Sequence, residues 1–340
     1  MEAKKALGFT LTLMLVCSLT TMVYAAPTPA DVEFYKGKNI TYVVATKPGG
    51  GYDTYGRLIG KYMQKHISGS TVIVKNVPGA GHIIGANEIY LAKPDGLTLG
   101  TFNTGLIYSQ IIGQPGIRFD LAKYSWIGKA NSEYRILLVG KETRFKTLKD
   151  VLESKEPIKI ASSGVGSADY NETLILAEAT GAKLKTIPGY SGREGEMAIM
   201  RGEVDGIIGS YTGLLGFIKA GECRALLQIA GKKHKDLPEV PLSKELNLSE
   251  KGIKLISLIV GVNEVGRMTA GPPNIPAGRL AVLRDAYKKA LTDPELLKDA
   301  EKIGLDFDPG FGEDVAKMVR EAIQQPEENV ALLKKIIKID

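Results

Sequence analysis

Four short turns rich in glycine or serine constrain the fold of this chain more than any other feature. They occupy residues 48–53, 78–82, 162–167 and 188–192, and each follows a short apolar run and precedes a segment with helical spacing. A helix that begins at such a turn presents backbone N–H groups and the positive end of its dipole, which suit an anion. The turns fall into two pairs, which predicts a cleft between two lobes that holds a carboxylate-bearing small molecule from both sides.

The rest of the sequence alternates between strand-like and helix-like segments, which indicates an α/β architecture. Strands are predicted at residues 40–45, 71–75, 97–101, 136–139, 158–161, 184–187, 204–208, 225–229 and 255–260. Helices are predicted at residues 53–66, 169–180, 192–201, 277–291 and 294–303, with one or two more after residue 312. Asp53 or Thr54 is the expected N-cap of the first helix, and Pro326 is expected to interrupt the last segment.

Residues 1–25 have the pattern of a cleaved secretory signal peptide. Lys4 and Lys5 precede an apolar stretch, and Val23 and Ala25 supply the small residues before a cleavage site. The alternative, an N-terminal membrane anchor, requires a longer apolar run. The exported chain would keep one cysteine, Cys223, and could therefore form no internal disulfide.

Charge and motifs exclude several function classes. The net charge of +6 is diffuse, and no basic stripe is interleaved with aromatic residues, so nucleic acid is not an expected partner. His66, His82 and His234 lack the spacing of metal ligands, and no G-x-S-x-G motif occurs. We therefore predict no metal, no cofactor and no catalytic residue.

Two polar residues in the turns have two interpretations each. Asp53 would cap its helix, or it would accept a hydrogen bond from a ligand or a bridging water. His82 would pack or face solvent, or it would contact the ligand. A nucleotide is a poor candidate, because the first turn lacks a nucleotide-binding motif and Asp53 would repel a phosphate. Trp126, the single tryptophan, lies away from the turns, which argues against stacking on a sugar ring.

The ordered series of motifs resembles the Bug proteins, the TctC-like extracytoplasmic solute receptors of tripartite tricarboxylate transporters. The similar segments are residues 48–53, 76–81, 84–87, 94–100, 162–167, 190–192 and 201–205. The resemblance covers about residues 33–310. It implies a periplasmic-binding-protein type II fold, with two α/β lobes and a ligand cleft between them. Lobe 1 is expected at residues 31–132 plus 235–340, and lobe 2 at residues 133–234.

The resemblance also implies how the ligand is held. Main-chain amides and bridging waters of the glycine turns would bind a carboxylate. Arg193 has two interpretations from its position, a solvated arginine at a helix start or a contact to a second carboxylate of the ligand. The positions that carry over are Gly50, Gly51, Asp53, Gly79, Ala80, Gly81, Ser163, Gly166, Ser167, Tyr190 and Gly192. His82 joins this set because it lies in the second turn, where a further glycine is usual.

The function that the resemblance implies is a periplasmic, monomeric receptor. It would bind a small organic acid and deliver it to membrane permease subunits, without enzymatic activity. Di- and tricarboxylates, amino-acid-like acids and aromatic carboxylates all stay open as ligands. Two alternative functions stay open as well: a receptor that signals to a membrane sensor, and an exported α/β hydrolase.

Overall fold

A computed structural model describes residues 26–337 of the chain. The predicted signal peptide, residues 1–25, lies outside these described residues. Within them, none of the helices has the length and apolar character that a membrane crossing requires.

The described residues form eleven strands and thirteen α-helices. The strands are β1 (Asn39–Val44), β2 (Thr71–Asn76), β3 (Thr98–Thr101), β4 (Ser125–Lys129), β5 (Arg135–Gly140), β6 (Ile158–Ser162), β7 (Leu184–Pro188), β8 (Gly206–Ser210), β9 (Cys223–Ile229), β10 (Met268–Gly271) and β11 (Gly310–Phe311). The helices are α1 (Pro29–Phe34), α2 (Gly51–His66), α3 (Ile83–Tyr90), α4 (Gly105–Ile112), α5 (Leu148–Leu152), α6 (Ala168–Thr180), α7 (Glu194–Met200), α8 (Tyr211–Lys219), α9 (Glu250–Val265), α10 (Ala277–Leu291), α11 (Pro294–Lys302), α12 (Gly312–Ile323) and α13 (Glu327–Ile336).

The strands form two sheets with matching strand orders. The first sheet runs β11-β4-β10-β3-β1-β2, and the second runs β7-β6-β8-β5-β9. In each sheet three parallel strands lie side by side, and the next strand, β10 or β5, runs antiparallel to them. Parallel strands joined through helices bring their carboxyl ends to one edge of the sheet. The four predicted turns all lie at such ends, because each joins a strand to the following helix.

The chain passes between the two sheets twice, once between β4 and β5 and once between β9 and β10. The two crossings lie side by side: the Arg267 N–H donates to the Asn131 carbonyl at 2.8 Å, and the Ala130 N–H donates to the Arg267 carbonyl at 2.9 Å. Gly266 permits this approach, because its φ is +64° and a Cβ atom there would lie 1.8 Å from the Asn131 oxygen. The residues of both crossings therefore lie between the sheets.

Trp126 belongs to the core of the first sheet. Its ring is buried against Phe102 and Tyr124, and its Nε1 donates to the Leu121 carbonyl at 3.0 Å. A buried indole with a satisfied N–H has a packing role. This agrees with the prediction that Trp126 lies away from the turns.

One predicted strand is wrong. Residues 255–260 lie inside α9, which Ser249 caps by accepting a hydrogen bond from the Gly252 N–H at 3.2 Å. Five apolar residues of α9 are buried at helical spacing, namely Leu255, Ile256, Ile259, Val262 and Val265. Isoleucine and valine are enriched in strands, so this short apolar run was ambiguous in the sequence. Strands β4, β10 and β11 were not predicted at all.

The spacing of β1 and β3 depends on Gly100. A Cβ atom there would lie 2.3 Å from the carbonyl oxygen of Val43 on the neighbouring strand. We expect Gly100→Ala to lower the free energy of unfolding by about 1–3 kcal/mol, because the strands would have to separate.

The control for Gly100→Ala is Gly216→Ala. Gly216 is exposed in α8, and a Cβ atom there would meet nothing within 4 Å. Gly216→Ala should raise the free energy of unfolding by about 0.4–1 kcal/mol, since alanine restricts the unfolded chain. Urea unfolding followed by circular dichroism measures both variants, and equal effects would contradict the assignment of Gly100 to a tight strand contact.

Candidate functional site

A cleft lies between the two sheets and encloses a cavity of about 100 Å³. The lining residues from the first half include Thr46, Gly50, Gly51, Tyr52, His82 and Asn103. Those from the second half include Ser163, Asp169, Tyr190, Gly192, Arg193, Glu196 and Ser210. Glu133, Arg135 and Arg267, which belong to the crossings or lie next to them, also line the cavity. The volume is below the roughly 150 Å³ of an engineered cavity that binds benzene, so it suits one small molecule.

Helix α2 begins at the cleft without a side-chain cap. Its N-cap residue is Gly50, whose backbone is extended and which has no side chain to accept from the first-turn N–H groups. The prediction that Asp53 or Thr54 caps this helix is therefore wrong. An uncapped helix start that opens into a cavity is a site where an anion is stabilised.

Asp53 turns away from the cleft and fixes the shape of the first turn. Its carboxylate accepts hydrogen bonds from the Gly49 N–H at 2.9 Å, from Arg57 Nε at 3.0 Å and from Asn76 Nδ2 at 2.8 Å. Burial opposes ionisation of Asp53, but the hydrogen bonds from Arg57, Gly49 and Asn76 together lower its pKa. Asp53 is thus a charged residue that holds the turn, and it does not line the cavity.

A buried arginine lies against the start of α2. The guanidinium of Arg267 is over the rings of Tyr52 and Tyr55, at 4.5 and 4.6 Å from the centroids, and the residue is 3% exposed. A Cβ atom on Gly51 would lie 2.8 Å from its Nη2, so only glycine leaves room for the guanidinium. Nη2 donates to Ser210 Oγ at 3.0 Å, whereas Nη1 has no hydrogen-bond partner among the described residues. The cleft therefore contains a cation beside the positive end of a helix.

Four buried charged residues form what we call the cleft ion network: Glu133, Arg135, Glu172 and Arg267. Arg135 Nε donates to Glu172 Oε2 at 2.6 Å, and its Nη1 lies 3.6 Å from Glu133 Oε2. Glu133 Oε1 lies 3.2 Å from Arg267 Nε. Burial disfavours the charge of Arg135, but Glu172 and Glu133 hold its pKa above the usual value. The network thus keeps its charges in place at the base of the cleft.

The second turn contains four consecutive residues with positive φ. The values are +132° at Gly79, +45° at Ala80, +59° at Gly81 and +83° at His82. Glycine adopts this region freely, whereas alanine and histidine rarely do. The backbone at residue 82 therefore has the conformation that a glycine would supply, in agreement with the glycine that the resemblance led us to expect there.

His82 is buried in the cleft lining and is neutral near pH 7. Its Nε2 lies 3.3 Å from Asn103 Nδ2, and Nδ1 has no hydrogen-bond partner among the described residues. Burial lowers the pKa of His82 to about 4, although the negative charge of Asp169 opposes this shift. A neutral imidazole here can donate or accept one hydrogen bond but supplies no charge.

Asp169 organises the third turn. Its Oδ2 accepts from the N–H and hydroxyl of Ser163 at 2.8 and 2.7 Å, and its Oδ1 accepts from the Ser167 hydroxyl and from the Tyr170 N–H. Ser167 Oγ also lies 2.6 Å from the Gly164 carbonyl oxygen, to which its single hydrogen can donate instead, and Ser167 is fully buried. Its hydroxyl is therefore engaged within the turn and does not line the cavity.

The two halves contact each other across the cleft mouth. Lys47 Nζ lies 2.8 Å from Glu194 Oε1, and Arg193 Nε donates to the Gly49 carbonyl at 2.8 Å. A Cβ atom on Gly50 would lie 3.1 Å from the Cα atom of Gly192. These contacts make the structure a closed form of the cleft.

The comparisons with known proteins agree with this architecture. A family profile described as "Tripartite tricarboxylate transporter family receptor" matches residues 56–336. The chain belongs to this receptor family. It is 26% identical over 294 residues to a UPF0065 protein from the tcbD-tcbE intergenic region of Pseudomonas sp. (strain P51), covering 85% of this chain and 84% of that protein. It is 25% identical over 241 residues to BugT of Bordetella pertussis, covering 68% of this chain and 72% of BugT.

Solved structures of similar receptors show the same fold. MatC from Rhodopseudomonas palustris with bound malate aligns with a TM-score of 0.71 at 22% identity, over 88% of this chain and 99% of MatC. The periplasmic binding protein BugD aligns with a TM-score of 0.73 at 21% identity, over 90% of this chain and 99% of BugD. An R. palustris protein with adipate gives a TM-score of 0.73 at 19% identity, over 88% of this chain and 97% of that protein. The receptor therefore has the two-lobed periplasmic-binding-protein type II fold that the resemblance implied.

The predicted site residues of this receptor fall into three groups. Gly50, Gly51, His82, Ser163, Tyr190 and Gly192 line the cleft. Gly79, Ala80 and Gly81 line an adjoining cavity that His82 and Ser163 also border. Asp53, Gly166 and Ser167 line neither cavity. Whether any of them contacts a ligand stays a prediction, as do the lobe boundaries.

Sequence reasoning missed the charged residues of the receptor cleft. These residues lie outside the glycine turns, so no turn motif marks them: Glu133, Arg135, Glu196 and Arg267. Two of them carried a weak signal: Arg135 begins an apolar strand, and Arg267 lies between Val265 and Met268. A charged residue next to an apolar run needs a partner if it is buried, but the sequence does not say which.

Two buried groups of the receptor give opposite pH dependences of stability. Burial lowers the pKa of His82 from 6.5 to about 4 and raises the pKa of Glu196 from 4.5 to about 7. Between about pH 4 and pH 6.5 the folded state binds fewer protons at His82 than the unfolded state does, so the contribution of His82 to the free energy of unfolding rises with pH. At Glu196 the folded state binds more proton, so its contribution falls as pH rises. The two contributions oppose each other between about pH 5 and pH 6.5.

Single substitutions should separate these contributions. Relative to the unmodified protein, Glu196→Gln should make the free energy of unfolding rise more steeply from about pH 5 to pH 6.5, by up to about 2 kcal/mol. His82→Asn should make the free energy of unfolding rise less steeply over the same pH range. Asparagine tolerates the positive φ at this position. Urea unfolding at both pH values measures the slopes. The same slope in all three proteins would contradict the assigned shifts.

Proposed function

We propose that this protein is a periplasmic receptor that binds one small organic acid by its carboxylate and delivers it to a tripartite tricarboxylate-type permease. The observation that carries the proposal is the guanidinium of Arg267, which lies at the uncapped start of α2 inside the closed cleft. Membership of the receptor family supports delivery to a permease. The malate bound to MatC and the adipate bound to the R. palustris protein support a carboxylate ligand.

The electrostatics of α2 and Arg267 favour an anion between them. The helix start carries partial positive charge, and the guanidinium carries a full one, so the two repel each other while the site is empty of an anion. A carboxylate has two oxygens, which can accept from the Nη1 of Arg267 and from the N–H groups of residues 51 and 52. Hydrogen bonds between charged groups are about twice as strong as those between neutral groups.

The size of the closed cavity favours a short acid. Its volume of about 100 Å³ suits roughly three to five carbon atoms, judged against the benzene-sized cavity of about 150 Å³. The rim contacts Lys47–Glu194 and Arg193–Gly49 would then close over the ligand. A longer acid such as adipate would require the rim to stay further open.

The first experiment is a thermal-shift panel of short carboxylic acids. A receptor is stabilised by its ligand according to mass action, and calorimetry then gives the affinity. We expect at least one acid of three to five carbons to raise the melting temperature and to be recovered unchanged. Chemical conversion of the acid would support the hydrolase alternative, and the absence of any stabilising acid would contradict the proposal.

Variants of the cleft should then separate the contributions to affinity. We expect Arg267→Met to weaken binding of the acid by roughly 10- to 150-fold, which corresponds to the loss of charge-assisted hydrogen bonds. Gly50→Val should weaken it at least about tenfold, because its side chain would enter the contact with Gly192. Arg193→Ala should weaken it less than about threefold, as is usual for rim charges. Titration calorimetry measures the affinity of each variant and so gives the order of these losses.

Two controls keep the titration of the Arg267 variant interpretable. Arg267→Lys retains the charge but not the planar fork of donors, so it should bind with intermediate affinity. Gly216→Val, on an exposed face of α8, should bind like the unmodified protein. Circular dichroism establishes that each variant is folded. If folded Arg267→Met binds the acid as tightly as the unmodified protein does, the carboxylate is held elsewhere.

A further inference from the structure

We propose that Glu133 and Arg267 act as a pair that selects an acid with an ammonium group beside its carboxylate, that is, an α-amino acid. Arg267 would bind the α-carboxylate together with the start of α2, and Glu133 would accept hydrogen bonds from the α-ammonium. This inference rests on the proposed function and specifies the ligand class of the same cleft.

The first observation is where buried polar atoms lack partners. In the described part of the chain, twelve buried side-chain nitrogen or oxygen atoms have no hydrogen-bond partner, and seven of them belong to residues that line the cleft. They are both carboxylate oxygens of Glu133, Nε and Nη1 of Arg267, and single atoms of Thr46, His82 and Glu196. Folded proteins leave few such atoms, and each costs free energy. Their concentration in one cavity indicates that a ligand satisfies them.

The second observation is that these atoms require donors as well as acceptors from the ligand. The nitrogens of Arg267 only donate, so they require an acceptor such as a carboxylate. A carboxylate only accepts, and the oxygens of Glu133 lie 3.2 Å from Arg267 Nε and 3.6 Å from Arg135 Nη1 without a hydrogen bond, so both can still take donors from a ligand. A simple dicarboxylate offers no donor, whereas an ammonium group offers three. A ligand with both groups satisfies both side chains.

The third observation is the charge balance of the cleft. The lining contains three cations, Arg135, Arg193 and Arg267, and three carboxyl groups, those of Glu133, Asp169 and Glu196. Arg135 is already engaged by the fully buried Glu172, and Arg193 donates to the rim carbonyl of Gly49. A second negative charge on the ligand would therefore have only Arg193 at the rim as a cation that no carboxylate already pairs. An amino acid with an uncharged side chain adds no net charge to the cleft, and any amino acid is one unit less negative than the same acid without its ammonium group.

The geometry of the pair fits neighbouring groups of opposite charge. Glu133 Oε1 lies 3.2 Å from Arg267 Nε, and both side chains are almost fully buried. The α-ammonium and α-carboxylate of an amino acid are linked through a single carbon atom. Their proximity matches that of the two protein groups, so the ligand can face both at once. A hydroxy acid would satisfy one oxygen of Glu133 through its hydroxyl but would supply no positive charge.

The test uses two sets of ligands that share a carbon skeleton and differ in one substituent. The three-carbon set is propionate, L-lactate and L-alanine, and the four-carbon set is succinate, L-malate and L-aspartate. In the set that binds, calorimetry with the full mature protein near pH 7 should show that the amino acid binds at least about tenfold more tightly than the unsubstituted acid. The hydroxy acid should fall between them.

The variant Glu133→Gln should remove the preference for the amino acid. We expect the affinity for the amino acid to fall at least about tenfold relative to the affinity of the same variant for the unsubstituted acid, because the variant loses the charge that pairs with the ammonium group. Glu88→Gln is the matched control, since Glu88 pairs with Lys75 on the surface, away from the cleft, and it should leave the preference intact. If Glu133→Gln fails to fold, the two ligand sets measured on the unmodified protein still show whether the cleft prefers the amino acid.

Several outcomes would overturn the selection while leaving the proposed function in place. These are tighter binding of the unsubstituted or hydroxy acid than of the amino acid, or stabilisation only by carboxylates without an α-ammonium group when none of the six ligands binds. A Glu133→Gln variant that retains the preference would also overturn the role of Glu133. If no carboxylate of any kind binds, the proposed function itself fails.

Discussion

The buried cleft ion network is the constraint on which the arrangement of this receptor depends. Glu133, Arg135, Glu172 and Arg267 come from the two chain crossings, from β5 and from α6, and Asn263 of α9 donates to Glu172 at 2.7 Å. Removing one member of a buried ion pair leaves an uncompensated charge, at a cost of about 3–5 kcal/mol. The elements that carry these residues are therefore held in one relative position at the base of the cleft.

This network also explains why the cleft requires glycine at particular points. Gly266 allows the crossings to pair, which sets the backbone from which Arg267 extends. Gly51 leaves the space that the guanidinium occupies at the start of α2. The guanidinium of Arg267 and the uncapped start of α2 together place two positively charged groups next to each other in one region of the cleft. A carboxylate is the group that this region would stabilise, which links the fold to the proposed function.

Local sequence patterns were sufficient to predict the α/β fold and the edges of the sheets that form the cleft. Turn residues and helical spacing act over a few positions, so the four turns and most of their flanking elements could be predicted. The ion network could not be predicted, because Glu133 and Arg267 meet only after the chain has crossed between sheets twice. Asp53 shows the opposite error of local patterns. It was predicted to contact the ligand because it lies in a glycine turn, but its side chain holds the turn itself.

The central claim is that α2 and Arg267 together hold the carboxylate of the ligand. A crystal structure of the protein with an acid that it binds tests this claim most directly. The account predicts one carboxylate within hydrogen-bond distance of both Arg267 Nη1 and an N–H group of residue 51 or 52. A bound acid whose carboxylates all lie away from Arg267, with Arg267 contacting only Glu133 and Ser210, would contradict it.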